Sequence, residues 1–204
     1  MPKHLYSVPN LLTMFRVIMI PIFVLIAYWP PALGVDAEAF DWKRIARWDA
    51  EVLRHYLLTG LFVLAAFTDW LDGYLARRWN QTSAFGRFLD PVADKLMVAV
   101  SLLILLQWHT NIVMAISAMV IICREITVSA LREWMAELGA RASVAVSYIG
   151  KLKTTLQMIA ISVFLVNWQA LEWLAYSLLI GAVVLTLWSM FIYLRAAWPY
   201  LKQP

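Results

Sequence analysis

The stretch "FTDWLDGYLARRWNQTSAFGRFLDPVADKLM", residues 67–97, holds four aspartates, three arginines and a lysine. It is set in a chain that is otherwise lipid-soluble: the 204 residues are 63% hydrophobic and 15% charged. Several apolar runs on either side of it approach the roughly 20 residues that carry a helix across a bilayer core. Six spans are expected, near residues 9–29, 55–75, 88–108, 111–131, 147–167 and 173–194. Lipid leaves no backbone group unsatisfied, and these runs lack the two-residue alternation of a membrane barrel. The expected fold class is therefore an all-α integral membrane protein, a six-transmembrane-helix bundle forming one domain over residues 1–204.

Basic residues set the orientation. With the N-terminus in the cytoplasm, Lys3, the clusters within 77–95 and 124–153, and Arg195 and Lys202 fall on the inner side. The insertion at about 30–54 lies outside and balances Lys43, Arg44, Arg47 and Arg54 against Asp36, Glu38, Asp41, Asp49 and Glu51. Its middle reads equally as a short amphipathic helix at the interface or as a solvated loop. The first apolar stretch reads as an uncleaved span, and the single cysteine, Cys123, as a packed span residue. A net charge of +4 on so little soluble surface points to anionic membrane phospholipids and not to nucleic acid.

Laid on helices, the opening stretch becomes ordered. Asp69, Asp72, Gly73, Ala76 and Arg77 stack along one side of a helix, and Gly86, Asp90 and Asp94 line one side of the next. A short polar turn makes the two helices antiparallel, so four carboxylates converge near the cytoplasmic end. Such a cluster repels itself unless cations enter it. Carboxylate oxygens without histidine or cysteine are hard ligands and select Mg²⁺ or Mn²⁺, as one ion or a close pair. Any single one of these acids reads as well as a salt bridge to Arg77, Arg78, Arg87 or Lys95, whereas four aligned acids argue for function. Gly73 and Gly86 leave room for a ligand or for close helix packing.

A second basic region, "CREITVSALREWMAELGARASVAVSYIGKLKTTLQM", spans residues 123–158. Arg124 and Arg132, eight residues apart, lie about 80° apart around a helix axis, and Lys151 opens the following helix. Arginine forks take phosphate in two bonds, so an acceptor carrying its own phosphate is favoured over a neutral polyol. Arg141 and Lys153 are explained by the inward bias of positive charge, and Glu125 and Glu133 are either partners of the arginines or solvated. Two other classes compete: a divalent-cation transporter, which needs a polar route that spans three and six lack, and a scaffold in which the charges hold helices together.

The pattern Asp69-x-x-Asp72-Gly73-x-x-Ala76-Arg77, then eight residues, then Gly86-x-x-x-Asp90-x-x-x-Asp94 resembles the complete motif of the CDP-alcohol phosphatidyltransferases. The resemblance implies six transmembrane helices, a homodimer, two divalent ions per site, and transfer of a phosphatidyl group from a CDP-lipid to an alcohol with release of CMP. Carried over by position, Asp69, Asp72 and Asp90 would bind metal, and Asp94 would bind the second ion and act as general base. Gly73, Ala76, Arg77, Thr82 and Gly86 would border the CDP moiety. The stretches "NLLTMFR", "ARRWNQTSAFGRFLDPVADK", "REITVSALREWMAELG" and "GKLKTTLQM" further resemble the bacterial branch whose acceptor is sn-glycerol 3-phosphate. That branch implies CDP-diacylglycerol as donor and a site at the cytoplasmic face of the inner membrane. Arg124, Arg132 and Lys151, with Thr13, would hold the glycerol phosphate. Inositol phosphate is the alternative acceptor. The loop at 32–54 is longer than this branch leads one to expect.

Overall fold

The computed structural model describes residues 8–28, 42–79, 84–138 and 148–201. Among the described residues six α-helices follow one another: α1 (Val8–Ala27), α2 (Trp42–Trp79), α3 (Ala84–Trp108), α4 (Ile112–Glu137), α5 (Tyr148–Val166) and α6 (Glu172–Leu201), the last preceded by a single 3₁₀ turn. Stretches within α1, α2, α4 and α6 are long and apolar enough to cross a membrane, while the apolar part of α5, Leu152–Val166, is shorter. In α3 the charges sit in the first half, and the uncharged part runs over residues 96–108. Ile18, Phe67, Ile126, Val184 and Phe191 are exposed along these helices, Ile126 to 65%, as side chains are when the surrounding solvent is lipid.

The insertion departs from the expected loop or short interfacial helix. Helix α2 already begins at Trp42 and continues unbroken for 38 residues, about 57 Å at 1.5 Å per residue. A hydrocarbon core is about 30 Å thick, so α2 overshoots it. No glycine or proline interrupts residues 42–59, and the alanine, leucine, arginine, lysine and glutamate there are good helix formers. Residues 30–41 lie outside the described residues.

Chain contacts group into two compact units. The first contains α1, α2 and α3 as far as Ile104; the second contains the chain from Leu105 through α4, α5 to Phe164, and α6. Within the first, α1 packs along α2. The buried side of α1 runs Asn10, Thr13, Arg16, Met19, Phe23, Ala27, and that of α2 runs Leu58, Phe62, Ala65, Thr68, Asp72. Both stripes keep the three- and four-residue spacing of one helix face, and both change from apolar to polar at the same end of the pair.

The second unit repeats this design with α4 against α6. Met114, Ser117, Ala118, Ile121, Arg124, Val128 and Met135 are buried on α4, facing an α6 stripe of Ala175, Leu179, Ala182, Thr186, Ser189, Tyr193 and Ala197. Asn111 starts α4 by accepting a hydrogen bond from the Met114 amide at 2.9 Å, and its own side-chain amide donates to the Tyr176 hydroxyl. Beside it the His109 ring meets the edges of Phe164 and Tyr176. Burial lowers the His109 pKa below its ordinary value, against the pull of Glu172 at 3.8 Å.

Candidate functional site

Helices α2 and α3 carry the four aspartates, but α1 binds them to one another. The Arg16 guanidinium, 1% exposed, reaches three of them: Nη1 lies 2.9 Å from Asp69 Oδ1 and 3.4 Å from Asp94 Oδ1, and Nη2 lies 2.6 Å from Asp72 Oδ2. The Thr13 hydroxyl, one turn away on the same stripe, donates toward Asp72 at 3.4 Å and toward Asp90. Its one proton serves one carboxylate at a time. Thr13, Arg16 and all four aspartates therefore form a single polar cluster.

Exposure is graded across this cluster. The Asp72 side chain is 5% exposed, whereas Asp69 is 38% and Asp94 42% exposed. Asp72 belongs to the packed α1–α2 interface; Asp69 and Asp94 face outward, where a ligand can meet them. Gly73 follows Asp72 in α2 and is partly exposed, and Gly86 is buried near the start of α3. Thr82 and the side chains of Ala76, Arg77 and Lys151 lie outside the described residues.

Among the described residues no three acidic, histidine or cysteine side chains are arranged to hold a metal ion as they stand. Guanidinium and hydroxyl donors occupy several of the carboxylate oxygens instead. The chemistry of the donor set nevertheless fits a hard divalent ion, since four carboxylates and a threonine oxygen supply only oxygen.

In the second unit, α6 holds the arginines of α4. Arg124, 5% exposed, donates from Nη2 to Ser189 Oγ at 2.9 Å and pairs through Nη1 with Glu125 Oε1 at 3.0 Å. Arg132 donates from Nη2 to the Tyr193 hydroxyl at 2.8 Å. The Tyr193 ring also lies beneath both guanidinium groups, 5.0 Å from Arg132 Cζ and 5.7 Å from Arg124 Cζ, within cation–π range. Lys153 is 1% exposed and ion-paired to Glu125, so its place in the structure goes beyond a loop charge explained by inward bias. Glu125 is the partner of both Arg124 and Lys153, while Glu133 is exposed.

Reading the sequence by its acidic motif missed Arg16, Ser189 and Tyr193. For Arg16 a signal existed: Asn10, Thr13 and Arg16 repeat every three residues in phase with Met19 and Phe23, which puts a cation on the buried side of an apolar helix. Ser189 and Tyr193 have only their four-residue spacing, common in any span.

Comparison with known proteins adds a further observation. The family profile described as CDP-alcohol phosphatidyltransferase matches residues 6–188. The CDP-diacylglycerol–glycerol-3-phosphate 3-phosphatidyltransferase of Escherichia coli K12 is 47% identical over 195 residues, covering 94% of this chain and 95% of its own. The proteins of the same name from Shigella flexneri 5b and Shigella sonnei show the same identity and coverage.

Proposed function

The chain belongs to the CDP-alcohol phosphatidyltransferase family, and on that premise we propose that it transfers the phosphatidyl group of CDP-diacylglycerol to the 1-hydroxyl of sn-glycerol 3-phosphate. The products are phosphatidylglycerophosphate and CMP, and the reaction is a step in phospholipid biosynthesis. The carrying observation is the 47% identity over 94% of the chain to a relative named for this activity. The match to the family runs through both compact units, which supports one catalytic domain over residues 1–204.

Each part of the chain takes a role by its chemistry. Asp94, half exposed beside the buried Asp72, accepts the proton of the attacking hydroxyl. The new bond joins that oxygen to the β-phosphorus, and the bond from the β-phosphorus to the bridging oxygen breaks, so that CMP leaves with the electron pair. Asp69, Asp72, Asp90 and Asp94 would hold Mg²⁺ or Mn²⁺, two ions per site. The chemistry such ions would supply is positive charge against the diphosphate and the leaving CMP. Gly73, Ala76, Arg77, Thr82 and Gly86 border the CDP moiety. Arg124, Arg132 and Lys151, with Thr13, hold the acceptor phosphate. Ser189 and Tyr193 fix the direction of the two arginines, since each accepts a hydrogen bond from one of them.

The enzyme sits in a bacterial inner membrane as a homodimer, with the reaction at the cytoplasmic face; the basic residues near both motifs support that orientation. Both substrates are then met where they are stable, the lipid in its leaflet and the polar acceptor in water.

The test is CMP release by purified protein in mixed micelles of CDP-diacylglycerol with Mg²⁺ or Mn²⁺, offered glycerol 3-phosphate, inositol phosphate, serine or glycerol. Release is expected with glycerol 3-phosphate alone and is lost on adding a chelator. Release driven by inositol phosphate instead would replace the acceptor. Silence with all four acceptors would remove the transferase reading.

A further inference from the structure

We propose that Arg16 is an internal counter-cation that holds Asp69, Asp72 and Asp94 together and surrenders their oxygens when divalent ions take them. This rests on the reading above that these carboxylates bind metal. Three observations lead to it.

The first is position. Arg16 lies at the polar end of the buried α1 stripe, almost fully buried, and forks into carboxylates from both α2 and α3. A residue placed only to join α1 to α2 needs one such bond; Arg16 touches three acids, from two different helices.

The second is competition for the same atoms. A divalent ion among these acids binds through carboxylate oxygens, and Asp69 Oδ1, Asp72 Oδ2 and Asp94 Oδ1 are already engaged by Arg16. One guanidinium offsets one of the four negative charges, which holds the cluster together without neutralising it. Two dications offset all four, and they repel a guanidinium kept in their midst.

The third is an unmet donor. Arg16 Nε is buried and has no hydrogen-bond partner among the described residues. Buried donors are nearly always paired, so this position does not satisfy the whole guanidinium. A second arrangement, with the fork drawn back from the oxygens, leaves the head free to find other acceptors.

Thermodynamic linkage makes the idea measurable. If Arg16 bonds the acids more strongly without metal than with it, removing its charge weakens the metal-free protein more than the loaded one, and affinity for the ion must rise. Wild type, Arg16→Gln and Arg16→Lys are compared in detergent by thermal unfolding, followed by tryptophan fluorescence during titration with Mg²⁺ and with Mn²⁺. Arg16→Gln is expected to melt several degrees lower without metal, to gain more from saturating metal than wild type, and to reach its midpoint at roughly tenfold lower metal. Arg16→Lys, a point charge without the fork, shifts the midpoint the same way by less, and it serves if Arg16→Gln does not fold. An unchanged or higher midpoint in either variant overturns the proposal, because Arg16 is then a structural clasp or a helper of the ion. A wild type whose melting ignores both metals overturns the metal reading itself, whatever the variants do.

Discussion

Asp94→Asn lowers CMP release by about 10²–10⁴-fold at saturating substrates, the range spanned by a lost general base. The substitution keeps the shape of the side chain and removes its ability to take a proton. Asp94 suits this role better than its neighbours because it is 42% exposed and its contact with Arg16, at 3.4 Å, is the longest of the three. Asp72, 5% exposed and 2.6 Å from the guanidinium, lies in the α1–α2 interface, where an attacking hydroxyl has less access to it. The neutral amide also weakens the metal site, so the rate is measured over a metal titration and compared at saturation. A variant that melts like wild type and still turns over within tenfold of it would take the base role away from Asp94.

Arg132→Gln raises the KM for glycerol 3-phosphate by about 10- to 100-fold, in line with the roughly 1.5–3 kcal/mol of a charge-assisted hydrogen bond. The KM for CDP-diacylglycerol stays where it is. Arg132 is a cleaner probe than Arg124: it is exposed, with its hydrogen bond to Tyr193 Oη, whereas Arg124 is buried between Ser189 and Glu125 and its loss would also disturb packing. Arg132→Lys recovers only part of the loss, since an ammonium is a point charge where the phosphate meets a fork. Steady-state kinetics with each substrate varied in turn separates the two KM values. A rise confined to the CDP-diacylglycerol KM would move Arg132 to the donor side.

Much of this was readable in the sequence, and the limits have physical causes. Each run read as a span falls on a helix of the described residues, and four of those helices are apolar over a length that crosses a membrane. The four aspartates stood out because helical spacing aligned them against an apolar background. Helix α2 was cut short because a bilayer template ends where charge begins, whereas a helix ends where its backbone meets a glycine, a proline or a cap; residues 42–54 offer none of these. Arg16 stayed hidden for the opposite reason. A lone arginine near the start of a span reads as an interfacial anchor, and only packing against α2 shows it turned inward. Lys153 passed for a loop charge because its partner, Glu125, lies 28 residues away in sequence.

The apolar stretch of α2 closes at Leu75, so Asp72 sits less than one turn and Asp69 less than two turns inside its edge. If the diphosphate is gripped by these aspartates as proposed, its phosphorus stays close to the headgroup level while the two fatty chains remain among their neighbours. The donor can therefore arrive sideways, by diffusion in the plane, without ever being lifted into water. For such a catalyst the meaningful supply of donor is its mole fraction in the sheet, a two-dimensional quantity, while the acceptor is counted per litre.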